Sequence, residues 1–170
     1  MHEKLVSLLN TQIREEFYSA YLYLDFANFY EAKGLHGFAH WFKVQAKEEL
    51  DHGMLLYQYL QNNNGAVVFE TIASPKEKCD TLAKPLYLSL EHEQFVTSSI
   101  NHIYDIARDC NDYRLQIFLN WFIKEQAEEE NSAQDLITRM ELFGKDAKGL
   151  YILDGELKMR KYSPVDYDFD

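Results

Sequence analysis

Gln45-Ala46-Lys47-Glu48-Glu49-Leu50-Asp51-His52 is the stretch on which the reading of this chain turns. It lies in a run whose apolar positions, Phe42, Ala46, Gly53, Leu56 and Leu60, recur at steps that return to one face of a helix. Glu49 takes the seat between Ala46 and Gly53, inside that stripe. His52 follows three residues later on the same face. A lone carboxylate in an apolar seam is costly unless it is paired or bound to a metal. Glu and His at i, i+3 can hold one metal ion from one helix of a bundle. The stretch therefore predicts a buried helix, and it predicts matching ligands at the same depth on other helices.

Working outward, the pattern continues in every long segment. The second helix is expected from Leu35 or Gly37 to Asn62, closed by the turn residues Asn62-Asn63-Asn64-Gly65. Upstream, a first helix runs from about Lys4 to Lys33 with Gly34 as its stop. Its seam reads Leu5, Leu9, Ile13, Phe17, Ala20, Leu24 and Ala27, with Glu16 on the edge and Tyr23 two turns further along that face. Downstream, Ala66 to Asp80 is longer than the usual joint between bundle helices, which predicts a crossover from one end of the bundle to the other. Ser74-Pro75-Lys76-Glu77 resembles a capping box and predicts a brief helical turn.

The third helix begins between Asp80 and Pro85 and ends near Cys110. Its seam is Leu86, Ser89, Glu93, Val96, Ile100, Ile103 and Ala107, and one seat again holds a carboxylate. His92 beside it reads as surface or supporting. The fourth helix ends at Gly144 with the seam Leu115, Leu119, Phe122, Gln126, Glu129, Ala133, Leu136 and Met140. A charged outer face accounts for Glu128 and Glu130, but not for Glu129, which the period turns inward. Lys145 to Lys158 is long enough for a short fifth helix that docks outside the four-helix seam. The expected organisation is an all-α four-helix bundle with a long crossover between the second and third helices and a short fifth helix, one domain over residues 1–158, with a flexible acidic tail over 159–170.

Composition agrees with this and narrows the function. Seven Gly and three Pro in 170 residues, against 12 Tyr and 11 Phe, favour long helices around an aromatic core. The formal charge of −11 disfavours nucleic acid and anionic membrane as partners and favours cations. Cys79 and Cys110 have no neighbour at zinc or rubredoxin spacing, and two free thiols are expected. The N-terminus is too polar for a signal peptide and no run reaches membrane-spanning length, so a cytoplasmic protein is expected.

Together, Glu16, Glu49 with His52, Glu93, and Gln126 with Glu129 interrupt the seams of four helices well inside each helix. Unpaired, such a set would be very costly to bury, and two divalent ions would neutralise it. Oxygen-rich ligands with one imidazole suit iron or manganese, with zinc competing. One site is expected at Glu16, Glu49 and His52, and a weaker one at Glu93 and Glu129 with Gln126 near it. Glu49 is placed to bridge them, and Tyr23 to give an electron or a hydrogen bond. Oxidation of two adjacent Fe(II) ions by O2 is the natural chemistry.

These residues resemble the bacterial non-haem ferritins. The resemblance spans about Glu3 to Leu157 and is carried by Glu16-Phe17-Tyr18-Ser19, Ala46 to His52, His92-Glu93-Gln94, Asn120-Trp121-Phe122, Glu125 to Glu130, and Gly149-Leu150-Tyr151. It implies a five-helix subunit, a hollow shell of twenty-four chains, Fe(II) oxidation by O2 or H2O2 within each subunit, and ferric mineral stored inside. It also implies a first iron site on Glu16, Glu49 and His52 and a second on Glu93, Gln126 and Glu129. A third falls on Glu48, Glu125 and Glu128, with Glu129 shared. Tyr23 and Trp121 match the family's aromatic residues beside the centre.

Bacterioferritins are similar but carry a second Glu-x-x-His on the fourth helix, where this chain has Gln126-Ala127-Glu128-Glu129. They ligate haem through a methionine where this chain has Leu50, so no haem is expected. Ala127 stands where many bacterial relatives carry His. The competing reading is a di-iron peroxidase or oxidase that stores no mineral. The bulky aromatic lining speaks against a substrate-sized gap.

Overall fold

In the computed structural model, which describes residues 1–167 and 169, five helices carry the regular structure: α1 (Glu3–Ala32), α2 (His36–Asn62), α3 (Lys84–Asp109), α4 (Tyr113–Phe143) and α5 (Ala147–Leu157). No strand occurs among the described residues. Helix ends follow local chemistry. Gly34 (φ +75°), Asn64 (φ +56°) and Asn111 (φ +55°) take the left-handed conformation that ends α1, α2 and α3. Pro85 sits in the first turn of α3, where a missing N–H costs no intrahelical bond. The side chains of Asp112 and Asp146 cap α4 and α5 by accepting from Leu115 N (3.1 Å) and Gly149 N (2.7 Å).

Two apolar clusters fill the bundle. Leu5, Leu9 and Ile13 of α1 meet Leu56 and Leu60 of α2, Ile100 and Ile103 of α3, and Leu115 to Phe122 of α4 at one end. Tyr23, Phe26 and Tyr30 meet Phe38, Phe42, Leu86 and Leu136 to Met140 at the other. α1 and α4 therefore run one way, and α2 and α3 run the other. The segment between α2 and α3 crosses the full length of the bundle, as its length required. It is not helical at Ser74–Glu77, contrary to the capping-box expectation. The crossover is held to α1 at its start: buried Asn10 accepts from Val68 N (2.7 Å) and donates to the Ala66 carbonyl (2.8 Å), and Arg14 pairs with Glu70 (2.6 Å).

One seam assignment also changes. Leu24 is 48% exposed, and the buried positions are Leu22, Tyr23, Phe26 and Tyr30. At about 100° per residue, Leu24 lies about 60° round the helix from the line through Leu9 and Ala27, whereas Glu16 lies within about 20° of it.

α5 packs on α2 and α4. It also completes α2, whose own N-cap, Leu35, supplies no side-chain acceptor. The Asp154 carboxylate accepts from Gly37 N (2.8 Å) and Phe38 N (3.0 Å) instead. A Cβ on Gly37 would lie 1.6 Å from the Asp154 carbonyl oxygen, so this close approach requires glycine. Residues after Leu157 turn back along α2 and α4; Asp168 and Asp170 of that tail lie outside the described residues. Among the described residues no helix is long and apolar enough to cross a membrane. Cys79 and Cys110 are both free thiols.

Candidate metal centre

A polar layer separates the two apolar clusters. Glu16 comes from α1, Glu49 and His52 from α2, Glu93 from α3, and Gln126 and Glu129 from α4. All six are between 0% and 6% exposed. Each follows from helical register: Ile13 and Ala20 bracket Glu16, Ala46 and Leu56 bracket the Glu49–His52 pair, Ser89 and Val96 bracket Glu93, and Phe122 and Ala133 bracket Gln126 and Glu129.

Amide side chains hold the carboxylates. Gln12 donates to Glu16 (2.8 Å) and is itself fixed by Ser99, whose hydroxyl donates to it (2.5 Å). Gln45 donates to both Glu49 (3.1 Å) and Glu129 (2.6 Å), tying α2 to α4. No Cα pair between those two helices comes within 8 Å, so the link depends on side chains. Gln126 donates to Glu93 (3.1 Å), and the Tyr23 hydroxyl donates to the other Glu93 oxygen.

These bonds do not satisfy the layer. Both nitrogens of His52 and one oxygen of Glu16 are buried without a hydrogen-bond partner. Buried polar atoms are nearly always paired in proteins, and such orphans call for an explanation. The ligand atoms converge in three groups, each within 4.8 Å: Glu16, Glu49 and His52; Glu49, Glu93 and Glu129; and His52, Glu125 and Glu129. Glu49, Glu129 and His52 each belong to two groups. The donor set is oxygen-rich with one imidazole, and the unpaired atoms face one another, so these residues can hold metal ions.

Electrostatics point the same way. Burial, then the Glu49 carboxyl, pushes Glu16 and Glu93 up to about 8. Burial, then Glu93, does the same to Glu129. Glu49 is raised well above the usual carboxylate range by burial and then by Glu129. Mutual repulsion in a dry layer thus keeps these groups protonated near neutral pH until a cation replaces the protons. Burial, followed by Glu93, also raises the Tyr23 phenol. His92, half-buried against Ser19 (2.7 Å), is pushed down to about 4 by burial, so it supports the layer as a neutral ring.

The structure brings Tyr23 to Glu93 and sets Trp121 edge-on to His52, with ring centroids 5.4 Å apart. Glu48, Glu125 and Glu128 line a cavity of about 330 Å³ beside Glu129. Their surroundings differ: Glu48 is paired with Arg160, Glu125 is half-buried 3.9 Å from His52 Nε2, and Glu128 is exposed. Sequence reasoning missed Gln12, Gln45 and Arg160 as parts of this region. The first two had a signal, since each stands four residues before a seam glutamate, one turn back on the same face. Arg160 had none, because it lies outside every periodic segment.

Fold and centre define a helical-bundle protein with buried carboxylate–histidine groups that could bind metal. A family model described as a ferritin-like domain matches residues 6–143. The chain is 32% identical to the bacterial non-heme ferritin of Staphylococcus epidermidis (strain ATCC 12228), over 96% of this chain and 98% of the relative. It is 33% identical to a probable bacterial non-heme ferritin-like protein of Haemophilus influenzae, over 92% and 95%. Among solved structures, an open-pore ferritin from Archaeoglobus fulgidus superposes with a TM-score of 0.92 at 37% identity, covering 95% of this chain and 99% of that one. A closed form of that ferritin engineered by mutagenesis gives 0.93 at 37%, over 96% and 99%. The chain belongs to the ferritin family.

Proposed function

We propose that this chain is an iron-storage subunit that oxidises Fe(II) at the polar layer and passes Fe(III) to a mineral held inside a shell of identical chains, twenty-four by family resemblance. The observation that carries this reading is the convergence of the buried Glu16, Glu49, Glu93 and Glu129 carboxylates in groups that share members with His52, whose two nitrogens have no hydrogen-bond partner. Iron is the substrate. One Fe(II) is held by Glu16, Glu49 and His52, and the other by Glu93 and Glu129 with Gln126 beside them, Glu49 bridging. A third ion passes through the acid cluster of Glu48, Glu125, Glu128 and Glu129, in which Glu48 is paired with Arg160. Each Fe(II) gives up one electron, so a pair reduces O2 with two protons to the level of hydrogen peroxide, or reduces H2O2 to water.

Protein groups prepare this step. Gln12 and Gln45 orient the carboxylates, the apolar clusters exclude bulk water, and Tyr23 steadies Glu93 and is placed to supply an electron. Assembly is supported by large apolar side chains left exposed on one chain, such as Ile117 (68%), Leu142 (68%) and Tyr151 (80%). No haem enters the scheme, because Leu50 offers no axial sulfur, and the setting is the cytoplasm. The test is rapid-mixing oxidation of Fe(II) by assembled Glu49→Ala and Glu129→Ala variants. Rates should fall by about tenfold or more with the assembly intact. Unchanged rates in either variant would overturn the site assignment.

A further inference from the structure

The cavity beside Glu129 is walled in part by the chain's own C-terminal tail. After α5, Arg160 is anchored at three points on α2: its guanidinium pairs with Glu48, lies 4.3 Å over the Trp41 ring, and donates to the Trp41 carbonyl (3.2 Å). The Arg160 carbonyl accepts from His40 Nε2 (2.8 Å). Further on, the Tyr162 hydroxyl and Val165 N donate to Asp51. Pro164, Val165 and Asp166 then line the same cavity as Glu125, Glu128 and Glu129.

The acid cluster is thereby divided. Glu48 already has a resident cation, supplied by the chain. Inward, Glu125 and Glu129 converge with His52, whose Nε2 lies 3.9 Å from Glu125 and is buried without a hydrogen-bond partner. A neutral imidazole has one lone pair, and the Glu16–Glu49 group also draws on His52. With Glu48 engaged, a third cation must compete for His52 or make do with Glu125, Glu128 and Glu129.

We propose that Arg160 sets the occupancy of the third cation position: it holds Glu48 in place of a divalent ion and keeps binding there weak and transient. This rests on the metal-binding reading of the layer. Arg160 is a positioning residue, acting through Glu48 rather than on the reacting ions. A guanidinium that is stacked and hydrogen-bonded as well as ion-paired is not displaced as readily as a free counter-ion.

The test is anaerobic titration of metal-free, full-length protein with Co(II), followed by its absorption spectrum. Wild type should bind two equivalents tightly and a third weakly. Arg160→Ala should tighten the third by about tenfold, and Arg160→Lys, which keeps the charge, should stay within about twofold of wild type. Glu48→Gln should barely alter the third equivalent in wild type, yet erase the gain in the Arg160→Ala background. A third equivalent unmoved or weakened by Arg160→Ala overturns the proposal. So does a Glu48→Gln effect of equal size in both backgrounds, read on variants whose metal-free melts match wild type. Should fewer than two equivalents bind to wild type, the reading of the layer falls as well. Should two bind and the third ignore Arg160, only the role of the tail falls.

Discussion

Replacing Glu49 by glutamine should weaken both metal positions together. The substitution keeps shape and the contact with Gln45 Nε2 at 3.1 Å, so packing in the layer is conserved. What disappears is one negative charge that belongs to two ligand groups, Glu16–Glu49–His52 and Glu49–Glu93–Glu129. A unit-charge pair at about 4 Å contributes about 4 kcal/mol at an effective dielectric of 20, and a divalent ion roughly doubles it. Against this stand the dehydration of the ion and the release of the proton that burial and Glu129 keep on Glu49 in the metal-free chain. A net loss on the order of 3 kcal/mol per position remains, about a hundredfold in affinity.

The assay is anaerobic calorimetric titration of metal-free wild type and Glu49→Gln with Fe(II), with thermal melts of both metal-free proteins as a control. The melts should show that the variant is folded and more resistant to alkaline pH than wild type, because Glu16 and Glu93 lose a repelling neighbour. Loss of affinity at only one position would refute the bridging role of Glu49. Unchanged affinity at both would refute the layer as a metal site.

Other outcomes follow from the same geometry. Glu16, Glu93 and Glu129 rise from 4.5 to about 8 on folding, so between those values the folded chain holds more protons than the unfolded one. The metal-free protein should therefore lose stability as pH rises through that window, while Fe(II) binding tightens and at pH 7 releases on the order of three to four protons per chain, Glu49 included, readable from titrations in buffers of different ionisation enthalpy. Tyr23→Phe leaves an oxygen of Glu93 without its donor, which should cost the metal-free chain about 1–3 kcal/mol in denaturant melts and much less once Co(II) is bound. Gly37→Ala forces a methyl group onto the Asp154 carbonyl, so α5 should undock with a loss of about 1–3 kcal/mol and become open to proteolysis after Lys145 or Lys148.

The helices and the centre were legible because one physical conflict marks both. Each long helix shows its buried stripe by period, and each carboxylate in that stripe contradicts the stripe's own logic. The conflict at Glu49 is visible in a single segment, and Glu93 and Glu129 repeat it. Glu16 was harder to place: lying three after Ile13 and four before Ala20, it fell at the edge of a seam that included Leu24, whereas the folded helix buries Glu16 completely and leaves Leu24 about half exposed. Side-chain partners chosen across helices were the least legible. Gln45 to Glu129 and Gln12 to Ser99 need three-dimensional register, and Arg160 with Glu48 joins residues 112 apart with no periodic signal between them. At Ser74–Glu77 the local capping pattern is not followed by a helical turn, and the hydrogen bonds that fix the crossover to α1 lie earlier, at Ala66 and Val68.

The most direct test of the account is aerobic loading of metal-free protein with excess Fe(II), followed by size separation with iron and protein detected together. Iron far above two or three ions per chain, eluting with one large and discrete protein species, is the predicted result. Retention of only two or three ions per chain, or elution of the iron with small species, would contradict storage and leave the centre as that of a di-iron oxidase.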